Sequence, residues 1–178
     1  MPSLQAITEN LVRAQQQFFS VADNIPSEHW SMRPGEGRWS AAELVCHLIT
    51  VEQAIIKNLA ELIQSPPKPR AFLKRFHLPM ALVEARLIRR KTPIPIDLAL
   101  LCGKEPMMSQ LSEVRQQTLS FMEETRNRNL AQYHWPHPFL GTLNIYEWFQ
   151  MIASHELRHA KQMKGISLAL PKTVTALH

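Results

Sequence analysis

Apolar residues recur every three or four positions along four long stretches of this chain, and that spacing is helical. The first stretch runs from about Ser3 to Ala22, with Leu4, Ile7, Leu11, Phe18 and Ala22 on one stripe. The second opens at Ser40, continues through Leu44, Leu48, Val51, Ile55, Leu59 and Leu62, and stops at Pro66-Pro67 and Pro69. Ser40 and Glu43 have the spacing of a capping box, in which each side chain serves the other residue's backbone N–H. The third spans roughly Pro106 to Asn129, with Leu111, Val114, Thr118, Phe121 and Met122 inward. The fourth starts near Asn144, where Asn144 and Glu147 repeat the capping-box spacing. It carries Trp148, Met151, Ile152, His155, His159 and Gln162 on one seam, and Gly165 is expected just past its end.

Strand signals are weak throughout. Residues 132–141, rich in proline and aromatics, are read as a loop leading into the fourth helix. Between the second and third helices lie about forty residues, Ser65 to Glu105. Their middle, Phe72 to Lys91, has a helical pattern broken by Pro79, and Thr92-Pro93-Ile94-Pro95-Ile96 cannot continue a helix. Four long helices with one long crossover predict an all-α four-helix bundle, a single domain over residues 1–178.

Composition narrows the class. The chain has 178 residues, 45% of them hydrophobic, enough for a real core. It contains no apolar run of membrane-spanning length and no signal-peptide layout at its start. Cys46 and Cys102 both have apolar sequence neighbours, so reduced, buried thiols in a cytoplasmic protein are expected. The net charge of +5 is mild. Part of it collects at Lys74-Arg75, Arg86 and Arg89-Arg90-Lys91, which reads as a solvated helix face. No aromatics interleave there as a base-stacking surface requires, so nucleic acid is not an expected partner.

The chemistry concentrates in His155-Glu156-Leu157-Arg158-His159. Residues four apart on a helix lie about 40° apart around the axis and one turn along it, so two imidazoles can reach one metal ion. The string also spells the zincin motif, in which the Glu activates a zinc-bound water. A zincin needs a downstream third ligand. The nineteen residues after His159 contain no Asp or Glu and only the terminal His178. Upstream, His47 lies on the inward seam of the second helix and is the only histidine in the first two helices. His47, His155 and His159 together form a candidate three-histidine site with at least one open position, the pattern of catalytic rather than structural metal centres. Three imidazoles suit zinc, nickel, iron or copper, with zinc or nickel expected first.

Glu156 points about 100° away from the seam. It is a candidate catalytic base, a partner to the ligands, or a plain interhelical carboxylate. Glu43 shares a face with His47 but is read first as the capping-box partner of Ser40. Gln162 follows His159 by three and is read either as hydrogen-bonding a ligand or substrate or as a surface residue at the helix end. Trp30, His134, Trp135 and His137 either line a pocket mouth or cap the bundle, and are read first as capping it.

Three blocks carry a resemblance to the DinB-like superfamily of four-helix-bundle metalloproteins. They are Gly37-Arg38-Trp39-Ser40-Ala41-Ala42-Glu43 leading to His47-Leu48; His137-Pro138 with Gly141-Thr142 and Glu147-Trp148; and His155, His159 and Gln162. The resemblance covers nearly the whole chain. It implies an up-up-down-down bundle, a divalent metal on His47, His155 and His159, and a homodimer. It also implies thiol-dependent S-transfer or hydrolysis on a small-molecule substrate. A low-molecular-weight thiol would be the co-substrate, with Arg38 and Arg158 as candidates to hold its anionic group. The alternative is a non-catalytic, stress-associated metal-binding bundle. The segment Ser65 to Glu105 departs from the family pattern.

Overall fold

A computed structural model describes residues 3–67 and 101–171. The helical pattern expected at Phe72 to Lys91 lies outside the described residues. Helix α1 covers Leu4–Ala22, with the Ser3 hydroxyl accepting the Ala6 N–H at its start. Helix α2 covers Ala41–Leu62 and α4 covers Ile145–Ala169. Both begin with the capping boxes expected, Ser40 with Glu43 and Asn144 with Glu147. Helix α3 covers Lys104–Glu124, shorter at its end than the pattern suggested. There the Thr125 hydroxyl bonds back to the Phe121 carbonyl (2.6 Å), and a separate short 3-10 turn, Leu130–Gln132, begins soon after. Among the described residues, no helix is long and apolar enough to cross a membrane.

Two apolar clusters show how the helices run. One joins Phe18 and Ala22 from the end of α1, Ala41 and Leu44 from the start of α2, Met107 and Leu111 from the start of α3, and Met163 and Ile166 from the end of α4. The other joins Ile7 and Leu11, Ile55 and Leu59, Phe121 and Met122, and Ile145 and Trp148, from the opposite ends of the same helices. Helices α1 and α4 therefore run one way, and α2 and α3 the other. Polar ties agree. Lys104 at the start of α3 bonds the carbonyls of Asp23 (3.3 Å) and Ile25 (2.9 Å) beyond the end of α1, and Arg128 after α3 bonds the Ile63 carbonyl (2.7 Å) after α2. The four-helix bundle is as expected, but the up-up-down-down order is corrected to up-down-down-up. Parallel α2 and α3 require a long connection, because the chain leaves α2 at one end of the bundle and enters α3 at the other, roughly 30 Å away at 1.5 Å per residue.

Three local expectations change. Residues expected as an irregular loop form a hairpin: β1 (His134–His137) pairs antiparallel with β2 (Gly141–Asn144), Trp135 opposite Leu143 and His137 opposite Gly141. Its three-residue loop closes on Gly141 at φ 84°, a left-handed backbone that glycine adopts without steric cost. Gly165 does not end α4. The helix continues to Ala169 because Ile166 and Leu170 beyond it are buried. Cys46 is buried as expected, but Cys102 is exposed. It precedes the N-cap of α3, where its neighbour Leu101 packs partly against the core instead.

Between the two apolar clusters lies a polar middle layer. Arg115 of α3, 1% exposed, pairs with both oxygens of Glu52 on α2 (2.9 and 3.0 Å), with Glu156 on α4 (2.9 Å) and with the Leu11 carbonyl of α1 (2.6 Å). Thr118 donates to Glu52 (2.6 Å). One side-chain network thus ties together all four helices.

Candidate metal centre

The other half of this middle layer is imidazole. His47 projects from the second turn of α2, and His155 and His159 project from successive turns of α4. The Nε2 of His155 lies 3.3 Å from that of His47 and 3.1 Å from that of His159. One donor atom from each of the three residues falls within 4.8 Å of the other two, the one such group found among the described residues. The rings meet edge to face, with centroids 4.5 to 5.2 Å apart. His47 and His159 are buried, and His155 is partly exposed. Trp39, from the segment before α2, covers the group. Its ring lies 5.1 Å from His47 and stacks on His159 at 6.5 Å.

Adjacent residues on α4 therefore serve opposite sides of the layer. His155 joins the imidazoles, while Glu156 turns by the helical step of about 100° toward Arg115. This corrects the expectation of Glu156 as a base. Its Oε2 is bonded to Arg115, its Oε1 is buried without a hydrogen-bond partner, and its electrostatic neighbours are Arg115 and Glu52. Burial pushes its carboxyl up to about 7, against the opposing pull of Arg115.

Burial holds all three imidazoles in the neutral form. It lowers His47 to about 4, and lowers His155 to about 3 with the help of His47, Arg158 and His137. His159 is also lowered, by burial first and then by His155 and His47. Neutral rings offer lone pairs. His159 Nδ1 donates to Gln162 Oε1 (3.1 Å), which leaves its Nε2 bare and aimed at the other two rings. His155 can carry only one Nε2 proton, so it can donate to one neighbouring Nε2 and not to both. Hydrogen bonding alone cannot satisfy three converging Nε2 atoms. A cation can: two imidazole nitrogens at about 2.05 Å from one zinc in a tetrahedral arrangement lie about 3.3 Å apart, close to the 3.3 and 3.1 Å separations here. The donor set fits a divalent metal ion.

The other expected residues are placed as follows. Glu43 closes the α2 capping box and pairs with Arg33. Arg38 reaches the Gly165 carbonyl at 3.4 Å. Arg158 is half-buried on α4, and its charge acts on both His155 and His159. Trp30 is buried at one end of the bundle, as expected of a cap. His134, Trp135 and His137 belong to the hairpin, where Trp135 stacks on Trp148 at 4.5 Å. Sequence reasoning missed Arg115 and Glu52. Arg115 follows Leu111 by four and precedes Thr118 by three, and Glu52 follows Leu48 by four and precedes Ile55 by three. Their positions on apolar seams were the available signal.

Comparison with known proteins places the fold. The uncharacterized protein YuaE of Bacillus subtilis (strain 168) is 25% identical over 155 residues, 86% of this chain and 92% of YuaE. Two solved structures share the fold. One is TT2238, a four-helix bundle protein, at a TM-score of 0.59 and 19% identity, covering 92% of this chain and 99% of that one. The other is YfiT from Bacillus subtilis, described as a probable metal-dependent hydrolase with an unusual four-helix bundle topology. It aligns at a TM-score of 0.61 and 10% identity, over 93% of this chain and 86% of YfiT. The family model of the DinB superfamily matches residues 10–163, most of the chain, and this protein belongs to that superfamily.

Proposed function

We propose that this protein is a metal-dependent enzyme in which His47, His155 and His159 hold one divalent ion, and that it delivers water or a small thiol to an electrophilic small molecule. The observation that carries this reading is the convergence of three neutral Nε2 atoms from two helices, with 3.1 and 3.3 Å separations and one partly exposed member. When bound, such an ion supplies a Lewis acid that lowers the pKa of a coordinated nucleophile toward neutrality. The protein supplies the rest. Gln162 holds the His159 tautomer, Trp39 walls one side, and burial keeps protons off the ligands. Arg158 is the cation whose charge reaches the imidazoles, and it is suited to an anionic group on a thiol or substrate. That YfiT, which shares the fold, is described as a probable metal-dependent hydrolase favours water as the nucleophile.

Elemental analysis of untagged protein tests the site: one zinc, nickel or iron per chain is expected, and His47→Ala should lose it. Full occupancy in the variant would refute the three-histidine site. A screen of esters, amides and thiol-reactive electrophiles, with and without metal and small thiols, separates hydrolase from S-transferase. If metal-loaded protein turns over nothing, the bundle is a non-catalytic metal binder.

A further inference from the structure

A fourth imidazole stands near the three-histidine group without joining it. His137 ends β1, and its Nδ1 accepts two hydrogen bonds from the hairpin loop, from the N–H of Phe139 (3.0 Å) and of Leu140 (3.1 Å). A nitrogen that accepts two N–H groups carries the lone pair, so the proton of the neutral ring sits on Nε2. Such a nitrogen cannot bind a metal. Moving the proton to Nδ1 would set it against two backbone donors and forfeit both bonds. The loop therefore makes His137 a donor of fixed orientation.

The ring is also held in place. It packs against Trp148 at 5.2 Å and Phe139 at 6.0 Å. Trp148 is itself fixed by stacking on Trp135 and by its Nε1 donating to the Trp135 carbonyl (3.1 Å). Trp148 precedes His155 by seven residues, two turns along the same face of α4. His137 is near enough to His155, the partly exposed member of the three, for a charge on its ring to lower that imidazole. With Nδ1 turned into the loop, Nε2–H is directed away from it. Burial lowers His137 to about 4, so the ring is a neutral donor at physiological pH.

We propose that the Nε2–H of His137 is the hydrogen-bond donor for a substrate carbonyl oxygen at the partly exposed side of the three-histidine site, and that the substrate class is an acyl compound, an ester or amide. This rests on the hydrolytic form of the function proposed above. In the reaction, the oxygen of water bonds to the acyl carbon. The bond from that carbon to the leaving oxygen or nitrogen breaks, and a water proton ends on the leaving group. His137 keeps its own proton throughout and stabilises the negative charge that gathers on the carbonyl oxygen, a role worth about 10²–10³ in rate for a single donor.

Two measurements test it. Long-range ¹H–¹⁵N spectra of the metal-free protein, assigned with His137→Gln, should show Nδ1 bare and Nε2 protonated from pH 8 to pH 5.5. An Nδ1–H tautomer or a titration in that range would overturn the proposal. In cobalt-loaded protein, acetohydroxamate, which carries a carbonyl oxygen, should bind about tenfold more weakly to His137→Phe than to wild type, the loss of roughly one hydrogen bond. His137→Gln, which keeps a donor, should recover most of that. Cobalt content should be equal in all three proteins. Loss of cobalt in His137→Phe would make His137 a ligand and overturn the proposal, as would equal acetohydroxamate affinity. Wild-type protein that takes up no cobalt would instead overturn the metal reading beneath it. Wild type that binds acetohydroxamate but hydrolyses no ester or amide would refute the enzyme and the acyl substrate, while the affinities still decide whether His137 is a carbonyl donor.

Discussion

Replacing Arg115 by Met should cost about 4 kcal/mol of folding stability. The guanidinium is 1% exposed and makes three contacts with two carboxylates and a fourth with the Leu11 carbonyl. Removing one member of a buried ion pair costs about 3–5 kcal/mol, because the charge left behind has neither water nor a partner. Two features keep the loss from doubling with the second carboxylate. Glu52 retains the Thr118 hydroxyl at 2.6 Å. Glu156 is already pushed up to about 7, so it can discharge by taking a proton. Domains of this size are stable by about 5–15 kcal/mol, so the loss is large. Urea unfolding at pH 7.5, followed by far-ultraviolet circular dichroism, reads it as a shift in midpoint at constant slope. The triple variant Arg115→Met, Glu52→Leu, Glu156→Leu should recover much of the loss, since a packed apolar layer carries no desolvation penalty. A single-variant loss below about 1 kcal/mol would show that the network does not hold the four helices together, and a triple variant no better than the single would refute stranded carboxylates as the cause of the loss.

Gln162→Leu should weaken metal binding by about 10–100-fold, the usual effect of losing the partner that orients a ligating histidine; competition titration with a chromophoric chelator reads this, and an unchanged affinity would rule out Gln162 as orienter. In the metal-free protein, acid should destabilise the fold between about pH 6.5 and pH 4. His47 is lowered from 6.5 to about 4, so across that window the unfolded chain binds a proton that the native chain excludes, and stability falls as pH falls. That contributes about 3 kcal/mol from His47 alone. Equilibrium unfolding at several pH values checks the slope, and a flat profile for wild type would contradict it. Asn144→Ala removes the side chain that accepts the Glu147 N–H (3.0 Å) and should cost about 1 kcal/mol in thermal or urea unfolding; a loss no greater than that of a surface control would show that the cap is dispensable.

The parts of the site legible in the sequence are local ones. The i, i+4 histidines share a helix face by backbone geometry alone, and both capping boxes are three-residue patterns. His47 was identifiable because it stands on an apolar stripe that needs a polar reason. The hairpin at residues 134–144 was not legible. Its strands are four residues each, with two prolines in and beside β1, and the pairing depends on Gly141 at positive φ and on Trp135 stacking against α4. Cys102 and Gly165 misled for a related reason: local composition says little about whether a neighbouring helix covers a position.

What the sequence determined by itself is where the helices begin, which faces they bury, and that three histidines lie on such faces, all of which follow from periodicity within single segments. What only the tertiary structure decided is the direction in which each helix runs, and the division of labour between His155 and Glu156, one turned to the imidazoles and the other to Arg115. The physical reason is the range of the contacts. His47 and His155 are 108 positions apart in the chain, and Arg115 and Glu52 are 63. Their approach is set by how four helices pack along their full lengths, a property that belongs to no single stretch of residues.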